Sequence, residues 1–529
     1  MKIIFLTGGV YSSLGKGVIL SSIGKVLQFE GYKCNVLKFD PYLNYNSKFL
    51  SPLQHGEVFV TKDGEETDLD LGHYERFLGI ELDSHSCYTT GKIFQRLLDK
   101  ERRGEYDGKT VQVAPHLVNE ILLTLEHFRE SGTEILLIEL GGTVFDLEQK
   151  PFILAASQMK KRKGDELTFV HLAPLLHLSH NNEKKTKPIQ HSLALLAQLG
   201  IVPDLLILKG DKEISEAELS KISFNFPAIP EENILSAPYL LDIYEIPLQL
   251  YQTEKLFEKI SPILKLDSVS RDVEKGKQYL KEWIDFNEQI KAPKKYQLRV
   301  AIVGKYSNSP ESYYSIIQSL KFAGYKLSAE LSIELIQSAE LTSEEQLEGF
   351  QAICVPPGFG NKSLNGIFLA IKYAREKKIP FLGICFGMQL AVIEYFRNVL
   401  GLEADSVELN PNTSCPIFTS WSEKQEMRLG NRTITFDPAS KIAQIYEISE
   451  KVTRHRNKYV LNLELAKEKL ASDSELIFSA SEGEIVEAIE LKNHPFFIGV
   501  QYHPEFNSRP NDPEKLFLAL IEKTIEQNY

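Results

Sequence analysis

The sequence predicts an α/β protein made of two parallel-sheet domains in tandem. Short apolar strands alternate with helical patterns from the first residue, and a second series of the same kind begins after a charged interruption near residue 280. Length agrees, because 529 residues exceed one ordinary core. In the first series the strands are 2–6, 35–38, 134–139, 167–172 and 204–208. From Ser268 to Gln297 the strands vanish, charge rises and two lysines follow Pro293, a pattern that suits a linker helix and hinge. The second series places strands at 299–303, 352–355, 380–384 and 496–501. Domains are therefore expected over 1–265 and 299–529, with a linker over 266–298.

Composition narrows the class. Hydrophobic residues make up 43% and charged residues 25%, as in a soluble globular enzyme, and a net charge of −12 argues against a nucleic-acid-binding surface. Five scattered cysteines without CxxC spacing suit a reduced, cytoplasmic protein. The first apolar run is short and flows into a glycine loop, unlike a secretion signal. No segment approaches the roughly 20 apolar residues that span a bilayer, so no membrane partner is expected.

Strand one ends in Thr7-Gly-Gly-Val-Tyr-Ser-Ser-Leu-Gly-Lys-Gly17, and a helix follows. Glycines let backbone amides converge on phosphate oxygens, the helix dipole adds positive potential, and Lys16 supplies a full charge. The spacing departs from GxxxxGK[ST], since Val10 and Gly17 replace the first glycine and the metal-binding hydroxyl. A merely structural strand–helix turn is the competing reading. Asp70 and Glu139 could hold magnesium, which commonly takes one or two carboxylates plus phosphate oxygens. Asp68 and Asp70 also read as a solvated strand face, whereas Glu139 ends an apolar strand and points into the usual ligand crevice, as does Lys38. Lys185 and Lys187, before a proline-rigidified turn, offer positive charge to a triphosphate or form an exposed lysine cluster.

In the second series, Pro380-Phe-Leu-Gly-Ile-Cys-Phe-Gly-Met-Gln389 reads as a strand, a tight elbow at Cys385 and a helix. An elbow cysteine has a helix N-terminus beneath it, which favours the thiolate and supplies a backbone amide to an oxyanion. Downstream, Val500-Gln-Tyr-His-Pro-Glu-Phe506 places His503 and Glu505 two apart on an expected extended segment, so both face one side. The glutamate can then orient the imidazole that activates the thiol. An isolated cysteine after an apolar strand is usually core, and it is the His-Pro-Glu partner that decides for a nucleophile.

Together these residues resemble the CTP synthase family, glutamine-dependent enzymes that aminate UTP. The resemblance runs through Ser51-Pro-Leu-Gln-His-Gly-Glu-Val-Phe-Val60, Thr67 to Phe77, Lys100 to Gly104, Thr110 to Val113, Lys185-Thr-Lys-Pro188 and the cysteine and histidine motifs. It implies a P-loop-type amidoligase domain joined to a flavodoxin-like class I glutaminase domain, in a homotetramer. ATP would lie on Ser13, Leu14, Gly15, Lys16 and Gly17, with Lys38 and Asp70, and Mg2+ on Asp70 and Glu139. UTP would meet Ser12, Lys185, Thr186, Lys187, Gln190 and Lys221, and the inhibitory product CTP also Asp146 and Glu148. Cys385, His503 and Glu505 would release ammonia from glutamine, which Gly358, Phe386, Gly387, Met388, Gln389, Glu408 and Arg456 would bind. Ammonia would pass near His55 and Val58 to UTP phosphorylated at O4, with GTP as a possible activator.

The chain departs from the family pattern in several places. Pro357 stands for a glycine beside the oxyanion amide of Gly358, and Phe145 for a glycine before Asp146, where bulk would crowd the CTP base. Arg454-His-Arg-Asn-Lys-Tyr459 has lost a histidine and an arginine, Lys209 replaces a common arginine, and the segments 40–50 and 239–244 are altered. The loop from Trp421 to Met427, in the region associated with GTP, is short, leaving Arg428 as an effector contact. Two alternatives stay open: an amidoligase for another acceptor, and a non-catalytic paralogue that regulates or co-assembles with an active enzyme.

Overall fold

The computed structural model describes residues 1–11, 13–160, 166–178, 183–211, 214–424, 426–471 and 474–529. They form two compact units: Met1–Ser47 with His73–Glu288, and Lys48–Gly72 with Gln289–Tyr529. The division differs from the expected boundaries in two places. Residues 48–72 pack with the second unit, and most of the expected linker is a helix, Val273–Lys291, built into the first.

The first unit is organised by a seven-stranded parallel sheet. Its strands are β1 (Lys2–Gly8), β2 (Cys34–Asp40), β3 (Cys87–Thr89), β4 (Ile135–Leu140), β5 (Glu166–Pro174), β6 (Leu205–Gly210) and β7 (Ile234–Pro238), in the order β7-β6-β5-β1-β4-β2-β3. Runs such as Ile3-Ile-Phe-Leu6 are apolar without alternation because helices cover both faces, and all four side chains are buried. From β1 the chain crosses to β2 on one side and later to β5 on the other. Its C-terminal end is thus the switch point where a ligand crevice opens.

Helix α1 (Lys16–Phe29) is buried along its whole length. Against it and its neighbours pack Trp283 and Phe286, one helical turn apart on Val273–Lys291, in an aromatic cluster with Phe29, Phe77 and Tyr244. The Trp283 indole donates to Tyr244 O at 2.9 Å, and the Lys25 ammonium lies 4.6 Å from its ring centre. Burying two large aromatics is why this charged stretch is an integral element rather than a free linker.

The second unit carries a nine-stranded sheet. Its strands are β8 (Tyr296–Gly304), β9 (Ala329–Gln337), β10 (Ala352–Val355), β11 (Phe381–Ile384), β12 (Arg428–Phe436), β13 (Glu450–Asn457), β14 (Leu476–Glu482), β15 (Ile485–Leu491) and β16 (Phe497–Val500), ordered β9-β8-β10-β11-β16-β15-β14-β12-β13. The parallel part runs from β9 to β16, and the remaining strands join it antiparallel. The segment 48–72 is tied on by polar contacts. Glu57 accepts from Ser315 N at 2.9 Å and from its hydroxyl, Ser312 donates to Pro52 O at 3.0 Å, and Arg454 donates to Val60 O at 2.7 Å.

Trp283 is the largest fully buried side chain of the described residues. Trp283→Ala should lower the stability of the first unit by about 3–5 kcal/mol, read as a downshifted thermal transition. A change below about 1 kcal/mol would show that the helix is only loosely attached.

Candidate functional site

Cys385 sits between β11 and helix α2 (Phe386–Asn398) with φ 52° and ψ −100°, a strained backbone for a residue with a side chain. The turn closes because its flanks are glycines. A Cβ on Gly387 would fall 2.2 Å from Val355 O, and one on Gly383 would fall 2.8 Å from the Gly387 carbonyl carbon. Cys385 N donates to Val500 O at 2.7 Å, which fixes the elbow to β16. The sulfur lies 3.6 Å from Arg456 O, and Gln501 Nε2 donates to it at 3.5 Å.

His503 is not on an extended segment, as the spacing predicted. It precedes a 3-10 turn, Pro504–Asn507, because Pro504 supplies a φ suited to the first position of a helical turn. The pairing survives the change of backbone: His503 Nδ1 and Glu505 Oε1 are 2.7 Å apart, both buried. Burial opposes charge on the imidazole, but Glu505 and the neighbouring Cys385 outweigh it and raise the His503 pKa to about 10. Phe506 stacks on the ring at 5.1 Å and 6°, and Phe59 packs on Phe506. His503 Nε2 is buried, and Cys385 is the other side chain besides Glu505 that acts on the imidazole.

A cavity of about 440 Å³ opens beside this pair, lined among others by Pro52, Val58, Tyr306, Gly358, Phe359 and Arg456. Pro357 needs no left-handed backbone: the first positive φ in the loop is at Gly360. Gly358 keeps its N–H, and a Cβ there would meet Phe386 Cδ1 at an ordinary 3.5 Å. Glu408 accepts from Gly360 N at 2.6 Å, and burial raises its pKa against that bond and Lys305. Lys305 donates to Phe359 O at 3.0 Å and is lowered to about 8 by burial, with Glu408 opposing. Gln389 bonds Tyr459 O at 3.3 Å and Gln501 at 3.2 Å, while its own Oε1 is buried and unbonded. Gly387 and Met388 are buried in the first turn of α2.

In the first unit the phosphate-loop residues gather at the end of β1. Val10, Ser13 and Gly15 have φ of 74°, 59° and 84°, which curls the backbone before α1. Lys16 folds back over Gly8 and donates to Gly142 O at 2.7 Å, and the Lys209 ammonium would touch a Cβ on Gly15 at 2.8 Å. Leu14 and Gly17 are buried. Lys38 pairs with Asp40 at 3.3 Å, and Glu139 lies opposite Lys38 in register, buried, with the Tyr74 hydroxyl on its Oε2. Asp70, which belongs to the segment 48–72 of the second unit, opens the helix Asp70–Leu78. Asp146 accepts from Thr143 N at 2.6 Å, whereas Glu148 is exposed and Phe145 is about half exposed. Thr186 and Gln190 bond each other at 3.3 Å in and before the helix Lys187–Gln198, while Lys185 lies on the hairpin before it. Lys184 pairs with Glu218 at 3.0 Å on the helix Glu216–Asn225, which presents Lys221 to solvent. Ser12 lies outside the described residues.

Two features were not read from the sequence. His171 joins Thr7 at 2.9 Å to Ser192 at 3.0 Å, tying β1 and β5 to the helix Lys187–Gln198 directly behind Gly9. Burial and then Lys16 push this imidazole down to about 3, so it is a neutral strut. Only its place at the end of a central strand could have signalled it. The other is a correction: Arg428, expected as an effector contact, is fully buried and bound to Glu482 and Glu487. Its strand enters the sheet at once because the loop before it is short.

Comparison with known proteins covers both units. The CTP synthase N-terminus family model matches residues 2–266, and the class-I glutamine amidotransferase model matches residues 309–523. A CTP synthase of Halalkalibacterium halodurans is 41% identical over 99% of each chain, one of Mesoplasma florum 42% over 99% of each, and one of Bacillus licheniformis 41% over 99% of each. Among the described residues, no helix is long and apolar enough to cross a membrane.

The His503–Glu505 pair has a pH signature. The imidazole stands at about 10 against an ordinary 6.5, so its stabilising contribution is whole below about pH 6.5 and is lost as pH rises through 10. Glu505→Gln removes the charge that raises it and leaves burial to lower it. Urea unfolding should show the advantage of the unmodified protein over E505Q largest near about pH 6 and shrinking toward about pH 9.5. An advantage that grows over that interval contradicts the pairing.

Proposed function

The chain belongs to the CTP synthase family, and we propose that it works through the two sites described above, a nucleotide site at the end of β1 and a glutaminase site at Cys385. It aminates UTP to CTP with nitrogen taken from glutamine, uses ATP as a substrate, and so serves pyrimidine biosynthesis. The single observation that supports the glutaminase reading best is the buried 2.7 Å His503–Glu505 pair beside a cysteine in a strained elbow.

Cys385 Sγ attacks the amide carbon of glutamine. His503 delivers the proton to the departing ammonia, then takes one from the water that hydrolyses the glutamyl thioester. The amides of Gly358 and Phe386 bind the oxyanion, the latter at the start of α2 where the dipole assists. Glu408 and Arg456 hold the amino-acid end of the substrate, and Gln389, Gly387 and Met388 shape the floor. Ammonia leaves past Val58 and His55.

At the nucleotide site the loop Ser13 to Gly17 cradles ATP, with Lys16 and Lys38 on its phosphates. Ser12, Lys185, Thr186, Lys187, Gln190 and Lys221 hold UTP. Asp146 and Glu148 add contacts for CTP, whose occupation of the same triphosphate pocket inhibits. The buried Glu139 carboxylate and Asp70 are hard oxygen donors of the kind magnesium takes alongside phosphate oxygens, so the donor set fits that ion. Bound there, Mg2+ supplies charge neutralisation for phosphoryl transfer. A homotetramer, a cytoplasmic location and activation by GTP are carried by the family resemblance.

Pro357 and Phe145 motivated the reading as a non-catalytic paralogue. An ordinary φ at Pro357 and a half-exposed Phe145 weaken both motives. Purified protein with ATP, UTP and magnesium should form CTP from glutamine or from ammonia, and no product from either would overturn the assignment. Cys385→Ala should reduce the glutamine-dependent rate at least about 1,000-fold and leave the ammonia-dependent rate within about twofold. Equal loss with both donors would make Cys385 structural.

A further inference from the structure

We propose that Glu66 is a positioning residue for glutamine: its buried carboxylate holds the Arg456 guanidinium by one edge and leaves the outer edge to the substrate's carboxylate. The inference rests on Arg456 being the group that binds that carboxylate. Arg456 Nε and Nη2 both donate to Glu66 Oε1, at 3.0 Å and 2.9 Å. A guanidinium has two forks, and this contact uses the inner one. The outer fork, Nη1 with the second hydrogen of Nη2, is the bidentate match for a free carboxylate. Phe359 lies under the group at 5.2 Å, so face and inner edge are both fixed while the residue still lines the cavity beside His503.

The support for Glu66 is rigid. It comes from the hairpin of Phe59–Val60 with Glu66–Thr67, in which Val60 pairs with Glu66. Thr67 donates to Phe59 O at 3.2 Å, and Arg454 binds Val60 O. Lys62 O accepts from Asn431 N at 2.7 Å, on the strand that pairs with the one bearing Arg456. A Cβ at Gly64 would fall 2.9 Å from Leu429 Cβ, opposite Arg456 in register. Arg456 meanwhile offers its carbonyl to the Cys385 sulfur, so a rotation of its strand would disturb nucleophile and anchor together. The Glu66 side chain is 3% exposed, which makes loss of its partner costly and the pair correspondingly fixed. The glutamine site is thereby completed by a residue that lies far outside the amidotransferase match at 309–523.

The test is steady-state CTP formation by the full chain, with glutamine or ammonia as donor, for Glu66→Gln, Arg456→Ala and the double variant. E66Q should raise the glutamine KM about tenfold with kcat within about threefold, and the double variant should be no worse than Arg456→Ala alone. The ammonia-dependent rate is the control for fold. If Arg456→Ala raises KM and E66Q does not, the inference is overturned and the role of Arg456 stands. If neither raises it, that role fails first. Parallel loss with both donors marks E66Q as a structural lesion and overturns the positioning role. Should E66Q not fold, Glu66→Asp, which keeps the charge on a shorter stem, should raise KM about threefold, and an unchanged KM there overturns the inference too.

Discussion

The second unit depends on one backbone constraint: a cysteine held at positive φ where a strand turns directly into a helix. A side chain there is tolerated only because Gly383 and Gly387 let strand and helix approach to distances that no Cβ would permit. The residues proposed for glutamine hydrolysis are all referred to that point. β16 fixes the elbow through Val500 and then delivers His503, and β13 meets the sulfur with a carbonyl and the cavity with a guanidinium. The strain at Cys385 is offset by the buried sheet on which it stands.

The first unit uses the same device for a different charge. A central apolar strand ends, the chain curls through left-handed residues, and a buried helix begins. Under the proposed function, the helix start would meet an oxyanion in one case and a phosphate in the other. What differs is the residue at the turn: a thiol in the second unit, a lysine in the first. Lys16, Lys38 and Lys209 supply local positive charge in a chain whose net charge is −12, as a polyphosphate site in an acidic protein would require.

Both strand–turn–helix geometries were legible in the sequence because they are short and written in glycines beside an apolar run. The parallel strands were legible for a related reason, since burial on both faces makes them continuously apolar. The antiparallel extension from β15 to β13 was not. Strands such as Arg428–Phe436 and Glu450–Asn457 carry arginine, lysine and glutamate, and their charges are satisfied by partners distant in sequence, as Arg428 is by Glu482 and Glu487. The helix Val273–Lys291 misled in the same way, because its charged surface outnumbers the two aromatics that anchor it. His171 was invisible because a neutral buried histidine differs from a core residue only by its two hydrogen-bond partners.

The placement of 48–72 follows from the same long-range satisfaction of polar groups. Glu57 precedes the small hairpin, and Glu66 lies in its second strand. Folded, Glu57 is half-buried and accepts from the amide and hydroxyl of Ser315, while Glu66 is buried and holds Arg456. A carboxylate is buried only where its partners are in place, so this hairpin and the strand bearing Arg456 are mutually required. Asp70 lies four residues beyond Glu66, in the same segment. Under the proposed assignments, the stretch that holds Arg456 therefore runs directly on to Asp70, so one short segment of sequence carries a residue of each proposed site.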